Sequence, residues 1–148
     1  MILLTGEDAP LLEQVSAAFT RRDVAHRRID ADDAAAARGN LFQAAFDARA
    51  DALVVVEPVA RKGAEPAAAD DVLLREAIAA CNGPTVKALF LVTCRAEDDE
   101  TLRALRRAGV PYLVLRPAPL FEVRPTGVEH ALQGRTVLVH EEAAALTD

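Results

Sequence analysis

The chain switches repeatedly between two hydrophobic patterns. Short, nearly unbroken apolar runs lie at residues 2–5, 52–56, 86–93 and 112–115. Such runs mark strands buried on both faces. Between them apolar residues recur three and four positions apart, which places them on one side of a helix. Leu11, Leu12, Val15, Ala18 and Phe19 make one such face, and Pro10 suits the first turn of that helix. Residues 24–29 read as a second, more polar strand near a sheet edge. Residues 30–37 are acidic and alanine-rich. Gly39 then breaks the pattern, and Asn40 is a good N-cap for a helix carrying Leu41, Phe42, Ala45 and Phe46. Residues 61–66 form a polar loop with Gly63, and residues 67–81 a helix stopped by Asn82-Gly83-Pro84. A further helix is predicted at 97–108, with Leu102 and Leu105 inward and Gly109 just past its end. Residues 136–139 give a sixth strand.

Strand and helix signals alternate from end to end, which predicts an α/β layered fold with a mostly parallel sheet. No internal repeat or linker interrupts it, and 148 residues suit a single domain spanning 1–148. The composition is that of an ordinary globule, 51% hydrophobic and 27% charged. A net charge of −6 disfavours non-specific nucleic-acid binding. The dense basic cluster, Arg21, Arg22, Arg27 and Arg28, reads as a solvated helix end and an edge strand. No apolar run approaches the ~20 residues that span a bilayer, so no membrane partner is expected. Strand residues begin at once, without the basic start of a secretory leader, and a cytoplasmic location is expected. Cys81 and Cys94 then read as free thiols. His26, His130 and His140 are scattered, with no metal-ligand spacing.

The chemistry that bears on function sits at the strand ends. Thr5-Gly6 closes the first strand as in a dinucleotide-binding turn, where backbone N–H groups and a helix N-terminus meet a diphosphate. A T-G-x-x-G-x-x-G turn needs glycines at positions 9 and 12. This chain has Ala9 and Leu12, with Glu7 and Asp8 inside the turn. Glu57 ends the third strand, Thr93 the fourth, and Arg116-Pro117 follows the fifth.

Several segments, in order, resemble the extended or atypical short-chain dehydrogenase/reductase family, the epimerase/dehydratase-like group. Met1 to Gly6 is similar to its first strand and glycine, and Ala50-Asp51-Ala52-Leu53-Val54-Val55-Val56 to its third strand. Residues 71–81, followed by Val86-Lys87-Ala88-Leu89-Phe90-Leu91-Val92-Thr93, resemble its next helix and strand. The sharpest match is Leu105-Arg106-Arg107-Ala108-Gly109-Val110-Pro111-Tyr112-Leu113-Val114-Leu115-Arg116-Pro117-Ala118. Residues 124–127 and 134–137 resemble a later stretch. The likeness covers nearly the whole chain, which stops where the family's substrate-binding lobe would continue.

The resemblance implies a three-layer Rossmann-type doubly wound sheet in the order 3-2-1-4-5-6. It implies cofactor contacts from Thr5, Gly6, Asp30, Thr93 and Arg116. The family's Tyr-x-x-x-Lys pair, a general acid or base beside a pKa-lowering lysine, is missing. Its slots fall at Cys94 and Asp98, and Tyr112 lies in the fifth strand. Glu7, Asp8 and Glu57 share the edge that would hold a diphosphate, and carboxylates there repel one by ~1 to ~4 kcal/mol per contact. The expectation is therefore a degenerate NAD(P)-binding-like domain with no catalytic residues, no cofactor or NAD(P) held weakly at best, and a regulatory or partner-binding role. Two alternatives remain. One is an active NAD(P)-dependent reductase or epimerase. The other is a receiver-like signalling domain in which Glu7, Asp8 and Glu57 hold Mg²⁺, Thr93 switches and Arg116-Pro117 stands where that family has Lys-Pro. The resembled family also pairs helices flanking its central strand, which points to a homodimer or protein partner through helices 67–81 and 97–108.

Overall fold

The computed structural model describes residues 1–29, 41–61 and 65–117. Asp30, the N-cap assigned to Asn40, Gly63 and the sixth strand at 136–139 lie outside the described residues. Among the described residues five strands form one parallel sheet: β1 Ile2–Gly6, β2 His26–Ile29, β3 Ala52–Val56, β4 Ala88–Val92 and β5 Tyr112–Leu115. Four helices accompany them among the described residues: α1 Ala9–Arg21, α2 Leu41–Asp47, α3 Asp71–Cys81 and α4 Glu100–Arg107.

Both α3 and α4 start later than their apolar period suggests, because an aspartate stops each of them. Asp70 accepts the N–H of Val72, and Asp99 accepts the N–H of Leu102. These side-chain caps satisfy N–H groups that a longer helix would bond internally. At the other end of α4, Gly109 takes φ +71°, the left-handed conformation that a residue past a helix end needs.

The sheet order is β2-β1-β3-β4-β5. This corrects the expected order 3-2-1-4-5-6. The third strand pairs with the first, its Leu53 opposite Leu3 and its Val56 opposite Gly6, rather than lying outside the second. The physical reason is burial. Leu53 to Val56 are fully buried, so this strand needs cover on both faces and both edges, whereas β2, with His26, Arg27 and Arg28, tolerates the rim.

Alternate side chains feed two cores. Leu3, Leu53, Val55, Leu89 and Leu91 pack beneath α2, α3 and α4, where Leu74, Leu102 and Leu105 are fully buried. Leu4, Val54, Val56, Val92, Leu113 and Leu115 face the other way, toward Leu12, Val15 and Phe19 of α1. Helices thus cover both faces in three layers. The strand pairing is in register: Gly6 lies opposite Val56, Val56 opposite Val92, and Val92 opposite Leu115. The residues that follow, Glu7, Glu57, Thr93 and Arg116, therefore emerge along one edge.

Candidate functional site

At that edge the turn from β1 to α1 is closed by its own atoms. A Cβ on Gly6 would stand 2.1 Å from the Val56 carbonyl oxygen, so glycine is required by the close approach of β3. The N–H groups of Glu7 and Asp8 donate to that same carbonyl, at 2.9 and 3.5 Å. Leu12 donates to the Asp8 carbonyl at 2.8 Å, and its side chain is buried in the core where the family pattern has glycine.

Asp8 occupies the N-terminus of α1 as an internal anion. One carboxylate oxygen accepts from Leu11 N–H at 3.1 Å, the other from Val59 N–H at 3.2 Å. Arg61 grips both oxygens, at 2.7 and 2.5 Å. Burial pushes the Asp8 carboxyl up, but Arg61 and the two N–H donors outweigh it and hold it below the usual range. A helix N-terminus favours a negative group, and here the chain supplies that group itself.

Glu57 anchors a second network. Its side chain is 1% exposed. It accepts from Thr93 Oγ1 at 2.7 Å, from Arg95 Nε at 2.8 and 3.0 Å, and from Arg95 Nη2 at 2.9 Å. Arg95 Nη1 reaches Asp71 at 2.6 Å and Asp99 at 3.0 Å, so one guanidinium joins the end of β3 to the starts of α3 and α4. Thr101 also donates to Asp71 at 3.0 Å. Arg95 first and Thr101 second hold the Asp71 carboxyl below its usual range. The pairing with Glu57 and Asp71 outweighs burial and raises Arg95 further, so it stays a cation.

The predicted residues thus meet at one edge but bond mainly inward. The Thr93 hydroxyl is consumed by Glu57 and by the N–H of Arg95 at 2.9 Å. Arg116 donates to the Arg95 carbonyl, while its Nη2 is buried without a partner among the described residues. The Thr5 hydroxyl is buried within the sheet and likewise has no partner among them. Glu7 accepts the N–H of Asp70 at 2.9 Å. Burial raises its carboxyl, and the Glu57 and Asp70 charges push it the same way. In the slots of the absent Tyr-x-x-x-Lys pair, Cys94 is a half-buried free thiol and Asp98 is exposed. Cys81 is buried, which pushes its thiol up to about 11.

Sequence reasoning missed Arg61 and Arg95, the cations that neutralise this edge. A signal existed: a carboxylate at the end of a fully apolar strand needs a cation within reach. Among the described residues no group of three or more His, Cys, Asp or Glu could hold a metal ion.

A cleft of ≈ 310 Å³ lies here, between the β1–α1 turn and the segment after β3. Pro10, Pro58 and Pro66 wall it, and Glu7, Glu65 and the Asp8–Arg61 pair supply its charged groups. In an open α/β sheet, ligands bind where consecutive connections leave a strand toward opposite sides. The observed order puts that point between β1 and β3, where the cleft lies. No helix among the described residues is long and apolar enough to cross a membrane. Comparison with protein-family models, curated proteins and solved structures gives no match.

Proposed function

We propose that the chain is a non-catalytic α/β protein of the dinucleotide-fold type, similar to short-chain dehydrogenases, with a regulatory or partner-binding role. One observation carries this reading: the donors that would cradle a diphosphate are already spent, on the Val56 carbonyl and the Asp8 carboxylate. A diphosphate would have to displace a carboxylate held by a bidentate guanidinium and two backbone N–H groups. Such charge-assisted pairs are the strong ones. The strand order is compatible with this lineage, since 3-2-1-4-5-6 without its outermost strand, renumbered, becomes 2-1-3-4-5. Calorimetric titration with NADH and NADPH at millimolar concentration is expected to give no saturable heat. A clear binding isotherm would favour the active reductase or epimerase instead. Helices α3 and α4 are the surfaces proposed for a homodimer, and a strict monomer at high protein concentration in light scattering would remove that part.

The observed order also favours a second reading, since receiver domains share 2-1-3-4-5. Glu7, Asp8 and Glu57 would then hold Mg²⁺ through carboxylate oxygens. Against it, Arg61 occupies Asp8 and Arg95 occupies Glu57. Mg²⁺ binding that Glu57→Gln abolishes would carry this reading; no heat on Mg²⁺ addition would sink it.

A further inference from the structure

We infer that Ser16 is a covalent acyl-acceptor site, its hydroxyl activated by His26, and that the donor is an activated acyl ester or thioester. The inference goes beyond the reading above, because it concerns neither the cleft nor the charge networks at the carboxyl edge. His26 opens β2 and lies opposite Ile2, the first residue of β1, at the other end of the sheet. Ser16 is the chain's single serine and sits in the middle of α1. Its Oγ stands 2.9 Å from His26 Nε2, and His26 Nδ1 stands 2.9 Å from the Val24 carbonyl oxygen. A carbonyl oxygen can only accept, so Nδ1 carries the proton of the neutral ring and Nε2 keeps its lone pair. The serine hydroxyl therefore donates to Nε2. A nucleophile bonded to a base, with the base oriented by a third group, is the arrangement that activates a hydroxyl.

The imidazole is held in place. Val24 donates its own N–H to the Phe19 carbonyl at 2.9 Å, and the Phe19 ring meets the imidazole edge-on, centroids 5.3 Å apart. Glu13, one turn before Ser16, and Arg28, two residues after His26, pair with each other across the same two elements. Ser16 and His26 are both half-buried, so the pair is ordered yet within reach of a small reagent. In the step, Ser16 Oγ bonds to the acyl carbon and its proton passes to His26 Nε2. The bond from the acyl carbon to the leaving oxygen or sulfur breaks, and the leaving group departs with that electron pair. His26 then returns its proton to the leaving group or to water. Ser16 lies inside a helix whose N–H groups bond to its own carbonyls, so its backbone offers no donors to a developing oxyanion. The orienting group is a neutral carbonyl rather than a carboxylate. The site therefore suits donors with a good leaving group, and the reaction is expected to stop at the acylated serine. That is a modification rather than turnover.

The test treats the full chain, its reactive thiols first blocked with iodoacetamide, with p-nitrophenyl acetate from about pH 5 to about pH 9. Mass spectrometry follows acetylation, and fragment ions separate Ser16 from Thr20 and from the amino terminus. Thr20, whose hydroxyl donates to the Ser16 carbonyl, is the internal control for a hydroxyl without a base. Ser16 is expected to be acetylated well ahead of Thr20, at a rate that rises with pH and levels off once the imidazole is neutral. His26→Gln keeps an acceptor for the serine hydroxyl but no base, and is expected to slow acetylation of Ser16 at least about 100-fold. A hydrogen bond that merely ties α1 to β2 would produce neither result. Acetylation of Ser16 no faster than of Thr20, an undiminished rate in His26→Gln, or a rate that keeps climbing with hydroxide across the range would each overturn the inference. A thermal melt checks that His26→Gln folds; if it does not, the Thr20 comparison and the pH profile of the parent chain decide the matter.

Discussion

Arg95→Met is the sharpest single perturbation of this protein. Methionine retains much of the stem volume and removes the guanidinium. Glu57, 1% exposed, then keeps only the Thr93 hydroxyl among its side-chain donors. Removing one member of a buried ion pair costs about 3–5 kcal/mol, because the remaining charge is stranded. The contacts to Asp71 and Asp99 add little, since those side chains are 62% and 28% exposed and solvent screens them. The surviving Thr93 bond puts the expectation near the low end, about 3 kcal/mol. That is a large part of the roughly 5–15 kcal/mol that holds a domain together. It corresponds to a fall in Tm of roughly 6–12 °C at this chain length. Urea unfolding followed by far-UV circular dichroism at pH 7 measures it, provided the slopes agree. The double variant Glu57→Met with Arg95→Met separates pairing from packing. With both charges gone, it should recover at least about 2 kcal/mol of the loss. An Arg95→Met deficit below about 1 kcal/mol, or a double variant no more stable than the single, would show that the pair does not behave as a desolvated one.

Other outcomes follow from the same edge. Gly6→Ala forces a Cβ to 2.1 Å from the Val56 carbonyl oxygen, a backbone atom that cannot swing aside. A loss of about 3 kcal/mol or more is expected in the same unfolding assay, at the top of the range for overpacking. Asp8 is held below its ordinary value of 3.8, so its share of stability is present above that pH and is lost as pH falls through the folded value. Asp8→Asn should therefore be less stable than the parent at pH 7, with the gap closing below pH 3.8; a gap that stays constant with pH would contradict this. Glu7 has the opposite sign. Its carboxyl is raised above 4.5, so the parent loses stability as pH rises from there through the folded value, and Glu7→Gln should be the more stable protein at pH 7. Thiol titration of the native chain should label Cys94 and spare buried Cys81, with both reacting in denaturant; rapid native labelling of Cys81 would refute its burial.

Much of the architecture was legible because each element answers to a local rule. Residues 52–56 are apolar without interruption, and such a run has few uses other than a central strand. Leu102 and Leu105 turn inward because their spacing leaves no other face for them. Gly109 ends α4 through a backbone angle that glycine adopts at little cost. The helix starts at 71 and 100 were less legible, since a capping aspartate and a surface aspartate look alike in a string of letters.

The opening Thr5-Gly6 shows the division most clearly. The sequence alone determined a buried strand that turns at a glycine into a helix, and carboxylates gathered at the strand ends. Only the tertiary structure decided what the glycine is for. Pairing of β1 with β3, 50 residues apart in register, brings the Val56 carbonyl where a Cβ would stand and takes up the N–H groups of the turn. The same pairing decided which cations meet which carboxylates: Arg61 reaches Asp8 across 53 residues, and Arg95 reaches Glu57 across 38. Hydrophobic period is a local property of the chain and can be read locally. Strand order and the matching of buried charges are set by long-range packing and desolvation, which no local pattern encodes.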